Sequence, residues 1–228
     1  MRVIIAAAGH QRKWGGYLGV PSHLAPLADG TPLLHRTIRQ ALTLTGDVHL
    51  TTPDLPAYEL PAGLHPDVAG VTRHLRHEDY TSEYPSTRDL WSTTGRTVLM
   101  LGDTYFSDEA IAAIGATDRR DYIVFGRYEG SQITGTPYGE IFAVSWWPEH
   151  HDLLDRALAS LASVRRVGAT KRPEGWLLLR SIQGTPLAKH RVTRRHFVEI
   201  DDATDDWDFP ADYDRHPATP AVGEPVHG

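Results

Sequence analysis

The sequence contains no cysteine. This excludes disulfides, thiolate metal sites and cysteine nucleophiles, and it fits a cytoplasmic chain. Lysine is scarce: Lys13, Lys171 and Lys189 are the only ones among the 23 basic residues. Any lysine that binds phosphate is therefore one of these three. No apolar run is long enough to span a bilayer, and the amino terminus carries no signal-peptide pattern, so no membrane partner is expected. Basic charge is in deficit, with a formal net charge of −6. That argues against nucleic acid as a partner, although a local basic patch is compatible with it. The histidines form no HExxH, and His74 and His77 lie on an expected strand or loop, so no zinc site is expected.

What is present is enough for one α/β domain: 228 residues can bury a full core. The chain opens on Arg2 to Ala6, a short apolar run with β-branched residues, which fits a buried parallel strand. Ala7, Ala8 and Gly9 then offer almost no side-chain bulk, so a ligand can approach the backbone closely. Arg12 and Lys13 follow at once. Cations beside exposed backbone N–H groups can cradle phosphates.

Further along, Pro32 to Gly46 reads as an amphipathic helix and Asp47 to Thr52 as a second strand, making a βαβ unit. Val71 to Arg76 fits a third strand, and Ser86 or Thr87 fits the cap of a short helix through Trp91. Thr97 to Gly102 is continuously apolar, hence a central strand, and it delivers Asp103 to the sheet edge where α/β folds place ligands. Ser107 caps the next expected helix. Strands are expected over Tyr122–Tyr128, Gly139–Trp146, Trp176–Ile182 and Phe197–Ile200, with a helix over Pro148–Val164. Lys189 to Arg195 is a basic run, by default a solvated face. Asp205 and Asp206 read as acids favouring a helix amino terminus. The expected domain covers residues 1–213, and the proline-rich residues 214–228 are expected to be a disordered tail.

One set of residues resembles a known signature. Ala7, Ala8, Gly9, Arg12, Pro21, Leu24, Gly30, Pro32, Leu33 and Leu34 follow the order and spacing of the nucleotidyltransferase family with the GT-A fold. That family includes sugar-phosphate nucleotidyltransferases and molybdenum-cofactor guanylyltransferases. The resemblance implies an α/β fold, a three-layer Rossmann-like sandwich on a mostly parallel mixed central sheet. It implies a magnesium-dependent transfer of a nucleoside monophosphate from a nucleoside triphosphate to a small phosphorylated acceptor, such as a sugar phosphate.

Residue by residue, the resemblance makes Ala7, Ala8, Gly9, Arg12, Ser22, Ser86 and Gly102 nucleotide-binding. Arg12, Lys13 and Asp103 become catalytic, and Asp103 with Asp201 would hold Mg2+. Tyr138, Gly139, Glu140 and Lys171 become acceptor contacts. The sequence departs from the signature at Ser22, where the family has a phosphate-binding lysine. Two other readings accompany this one. A GT-A glycosyltransferase would usually show Asp-x-Asp, whereas Asp103 sits in Gly-Asp-Thr-Tyr. A nucleotide-binding protein with a lapsed site fits Ser22 but not the two acids. A homo-oligomer is compatible with the sequence.

Overall fold

The computed structural model describes residues 1–64, 70–76, 82–168, 170 and 173–221. Its centre is a seven-stranded sheet built from β1 (Arg2–Ala6), β2 (Val48–Thr52), β3 (Val71–Leu75), β4 (Thr97–Leu101), β6 (Ile123–Arg127), β7 (Glu140–Trp146) and β8 (Phe197–Glu199). The strand order is β3-β2-β1-β4-β7-β6-β8. Only β7 runs antiparallel to its neighbours, β4 and β6. A second, two-stranded sheet pairs β5 (Thr104–Tyr105) with β9 (Asp205–Asp206). The chain is thus α/β with a mostly parallel mixed sheet, flanked by helices.

Period-2 alternation assigns the core. On β1, Val3 and Ile5 face one side and Ile4 the other, and all three are fully buried. The first side is closed by α1 (Leu33–Leu44) through Leu34, Ile38 and Ala41, and by α3 (Asp108–Ala116) through Ala110, Ile111 and Ile114. The second side packs Ile4, Leu99, Val124 and Val144 against α4 (His151–Arg166) and α5 (Glu174–Gln183). Ser107 caps α3 as expected, its Oγ accepting from Ala110 N–H at 2.9 Å. A third cluster lies under the loop after β1. Trp14, Ala25, Leu27 and Leu33 meet Trp207 and Tyr213, so the first and last parts of the chain share one apolar patch.

Three expectations change. Trp176–Ile182 belongs to helix α5, not to a strand. Trp176 to Leu179 are all buried, and a run buried all round shows no period that separates strand from helix. Gly184 ends the helix at φ +68°, a left-handed cap that glycine adopts freely. The short helix α2 (Glu83–Thr87) begins before Ser86, which is therefore an interior residue. The Ser86 Oγ donates to Glu83 C=O at 2.9 Å rather than capping. Residues 214–221 are not a loose tail. They continue from α6 (Pro210–Arg215), and His216 and Thr219 are buried. His216 Nε2 bonds Ala203 C=O at 2.8 Å, and Ala28 N–H donates to Ala218 C=O at 2.9 Å. Residues 222–228, also part of that expected tail, lie outside the described residues.

Candidate functional site

β1 and β4 are neighbours, but the chain leaves β1 toward β2 on one flank and reaches β4 on the other. The crevice past their carboxyl ends is a topological switch point, where open α/β sheets bind ligands. Two residues keep it narrow. Gly102 N–H donates to Ala6 C=O at 2.9 Å, and a Cβ at Gly102 would lie 2.7 Å from the Ala7 Cβ. Gly102→Ala should therefore push the β1 and β4 ends apart and cost ~1–3 kcal/mol, read as a lower urea midpoint. A variant as stable as the parent would mean that the crevice spreads freely.

Two clefts flank this point. The smaller, about 380 Å³, is lined by Ala8, Gly9, Gln11, Pro21, Leu55 and Tyr58 among others. The larger, about 810 Å³, is bounded by Lys13, Tyr138, Gly139, Glu140, Asp206 and Asp208 and by the start of α5. The residues expected to meet the acceptor thus line the larger cleft, except Lys171, which lies outside the described residues. Gly139 is needed there for space: a Cβ would come within 2.3 Å of Tyr128 C=O.

Asp103 follows β4 at this switch point. Burial, and then the charge of Asp208, pushes its carboxyl up to about 7. β9 brings its partners. Trp207 N–H donates to Asp103 C=O at 2.9 Å, and Thr104 pairs with Asp206 in register. With Trp207 fully buried, the acids on either side of it, Asp206 and Asp208, face the larger cleft. Lys13 is ion-paired with Asp208 and lies over the Phe209 ring.

Asp201 does not join this group. It is exposed at the end of β8, which is separated from β4 by β7 and β6. The acids that reach Asp103 are Asp206, which lies on β9 rather than at the expected helix amino terminus, and Asp208, two residues beyond that strand. A local signal existed. Asp206-Trp207-Asp208 alternates polar and apolar at the strand period, and Pro210 opens the next helix immediately after.

Behind Asp206 lies a buried charge cluster. Glu140, Asp205 and Asp206 hold their carboxylate oxygens within 4.8 Å of one another. Arg127 reaches Asp205 at 2.8 Å, Glu140 at 3.0 Å and Thr204 C=O at 3.1 Å. Ser131 and Thr134 hydroxyls also donate to Asp205. One guanidinium cannot neutralise three acids. Asp205, despite its burial, is held below the usual carboxylate range by its hydrogen bonds with Glu140, Ser131 and Arg127 and by the Arg127 charge. Glu140 and Asp206 are both pushed up, by burial first and then by neighbouring carboxylates. The Oδ1 of Asp206 is buried without a hydrogen-bond partner.

On the other side, Ser22 is buried and faces neither cleft. Its Oγ accepts from Gln11 Nε2 at 2.6 Å and its N–H donates to Gln11 Oε1 at 2.7 Å. Ser86 is likewise absent from both cleft walls. Arg12 is exposed on the loop. His23 is sealed beside Tyr58, their Nδ1 and hydroxyl 2.7 Å apart, and burial lowers its pKa from 6.5 to about 3. Above pH 6.5 it is neutral in both folded and unfolded chains. As pH falls, the unfolded chain alone takes the proton, so stability should decline from pH 6.5 toward 3 by up to ~1.4 kcal/mol per unit. His23→Gln should lose less stability than the parent between pH 7 and 5 in urea titrations. Parallel losses would assign the slope to other groups.

No protein-family signature and no curated protein matches the chain by sequence. Solved structures match by shape. A Bacillus anthracis protein described as a glucose-1-phosphate thymidylyltransferase, solved with sucrose, superposes with a TM-score of 0.65 at 11% identity, over 96% of this chain and 94% of its own. The CTP:phosphocholine cytidylyltransferase of Streptococcus pneumoniae superposes with a TM-score of 0.56 at 14% identity, over 93% and 95%. The match runs along nearly the whole of each molecule, and the fold of this chain is that of the nucleotidyltransferases.

Proposed function

We propose that this chain is a magnesium-dependent nucleotidyltransferase acting on a small phosphorylated acceptor. The observation that carries the reading is the grouping at the switch point of Asp103, Asp206 and Asp208, near enough to act on one another by charge, with Lys13 paired to Asp208. An acceptor phosphate oxygen attacks the α-phosphorus of a nucleoside triphosphate. The bond from that phosphorus to the bridging α–β oxygen breaks, and pyrophosphate leaves. No side-chain nucleophile is required. Positioning and charge neutralisation lower the barrier.

A hard cation takes carboxylate oxygens, and Asp206 offers one: its Oδ1 is buried with no hydrogen-bond partner. Asp103 or Asp208, both close enough to act on Asp206 by charge, would supply a second. When bound, magnesium would neutralise phosphate charge gathered at these acids. The small residues Ala8 and Gly9 let the triphosphate approach the loop backbone in the smaller cleft, where the walls of Leu55 and Tyr58 suit a base. Arg12, exposed on the loop, attracts the leaving pyrophosphate. Lys13 exchanges its pairing with Asp208 for phosphate oxygens. Ser22 supplies no charge, so Lys13 takes the place of the lysine that the signature carries there.

A thermal-shift panel tests this: each nucleoside triphosphate with and without magnesium, followed by pyrophosphate release with an acceptor. One triphosphate should raise the melting temperature only when magnesium is present, by mass action. No shift with any triphosphate would overturn the reading. The two similar proteins carry different acceptors in their names, glucose 1-phosphate and phosphocholine, so the fold does not choose the acceptor.

A further inference from the structure

β3 ends the order of the sheet and pairs only with β2 among the described residues. Of its five side chains only Val71 is buried, so apolar packing does little to hold it. Two polar side chains do more, one on each face. On the first side, Arg73 Nε donates to Thr52 Oγ1 at 2.8 Å. Its guanidinium also donates to Pro53 C=O at 3.2 Å and to Leu55 C=O at 3.4 Å. Pro53, Leu55 and Tyr58 line the smaller cleft. β3 therefore holds the backbone of one wall of that cleft.

On the second side, His74 Nε2 lies 2.8 Å from Nδ1 of His49 on β2, with the ring planes 18° apart. The other His49 nitrogen, Nε2, is 2.9 Å from Asp47 Oδ1. Against its burial, hydrogen bonds from Arg2 and His49 hold the Asp47 carboxyl below its usual range, so it accepts. His49 Nε2 thus carries the hydrogen and, in the neutral ring, Nδ1 is bare. His74 Nε2–H donates to it. The bond survives a proton on His74, which goes to Nδ1 of that ring. It does not survive a proton on His49, because two N–H groups would then face each other.

The surroundings set when the bond breaks. Burial disfavours a charge on His49; Asp47 and Asp89 oppose this, and Arg2 adds to it. For His74, burial is joined by the charges of His49, Arg76 and Arg2, with Asp89 opposing. Both rings are thereby held below 6.5. Above pH 6.5 the pair is neutral whether closed or open. Below it, the closed pair resists the proton that the open pair takes, so acid favours the open form.

We propose that His74 is a positioning residue for the wall of the smaller cleft, acting through His49 as a clasp that acid undoes. With the clasp closed, β3 keeps Arg73 on the carbonyls of Pro53 and Leu55. With it open, the end strand and the wall loosen together. The inference goes beyond the transferase reading and does not depend on what the cleft binds.

The test is hydrogen exchange of the full chain at pH 7.5 and 5.5, corrected for the intrinsic rate at each pH. One histidine that regains its ordinary pKa on opening raises the open fraction by up to ~10-fold over that interval. The β3 amides should lose several-fold in protection. So should the Tyr58 amide, which bonds Leu55 C=O at 3.0 Å, while β1 and β4 keep theirs. His49→Gln removes the titrating ring yet offers an N–H to Asp47 and an oxygen to His74. It should keep full protection at both pH values. His74→Leu, which takes the donor away, should show low protection at both. Unchanged β3 protection in the parent, an acid loss that survives His49→Gln, or β3 opening while Tyr58 stays protected would overturn the proposal. His74→Leu as well protected as the parent would do the same. If His74→Leu does not fold, His49→Gln decides alone.

Discussion

Asp206→Asn should reduce pyrophosphate release by about 10³-fold while leaving the fold intact. The change keeps the shape of the side chain and replaces a carboxylate whose Oδ1 is buried without a hydrogen-bond partner. Burial first, and then neighbouring carboxylates, push Asp206, Asp103 and Glu140 toward the protonated form, with Asp208 acting on both Asp103 and Asp206 and Asp206 acting on Glu140. Removing one charge relieves that repulsion, so the melting temperature of the ligand-free variant should hold or rise. Activity and stability should therefore move in opposite directions. Asp201→Asn, at the exposed end of β8, should leave turnover within a few-fold of the parent. Equal losses for the two variants, measured by pyrophosphate release at saturating magnesium, would return Asp201 to the site.

The largest loss of stability is expected from Arg127→Met. Arg127 is buried and spans Asp205, Glu140 and the carbonyl of Thr204. Its loss leaves Asp205, fully buried, charged and without its cation. Breaking one side of a buried ion pair costs ~3–5 kcal/mol. For a chain of this size that corresponds to roughly 10 °C in melting temperature. The Ser131 and Thr134 hydroxyls soften the loss without replacing the charge. Adding Asp205→Asn should recover a substantial part, because no uncompensated charge then remains. If the double variant is less stable than Arg127→Met alone, Arg127 acts through packing on Phe142 instead.

The central strands were legible because each is short, continuously apolar and bounded by small residues. Ile4 and Leu99 needed no tertiary information. Asp103 was legible because it follows such a strand directly. Its partners were not. A cluster of acids before a helix has a sufficient local explanation in the helix dipole, and that explanation hid Asp206. What overrides it is the burial of Trp207 against Tyr213 and the loop after β1, a long-range contact that no local window contains. Trp176–Ile182 failed for a related reason, since a segment enclosed by sheet and helix loses the polar face that betrays its period. His216 and Thr219 were hidden by prolines. A proline-rich stretch need not form regular structure to be buried, and here its hydrogen bonds run to Ala203 and to Ala28. The engagement of Ser22 by Gln11 follows from side-chain geometry, which spacing along a chain does not encode.

The two-stranded pairing of β5 with β9 also sets a timetable. The bond from Ser107 N–H to the Thr204 hydroxyl spans 97 residues. During synthesis at ~5–20 residues per second, Asp103 leaves the ribosome many seconds before the strand that completes its surroundings. Through that interval the nascent chain holds β1 to β4 without the acids that stand beside Asp103. Closing the seam between β5 and β9 is therefore a late event, and the surroundings of Asp103 are complete only with it.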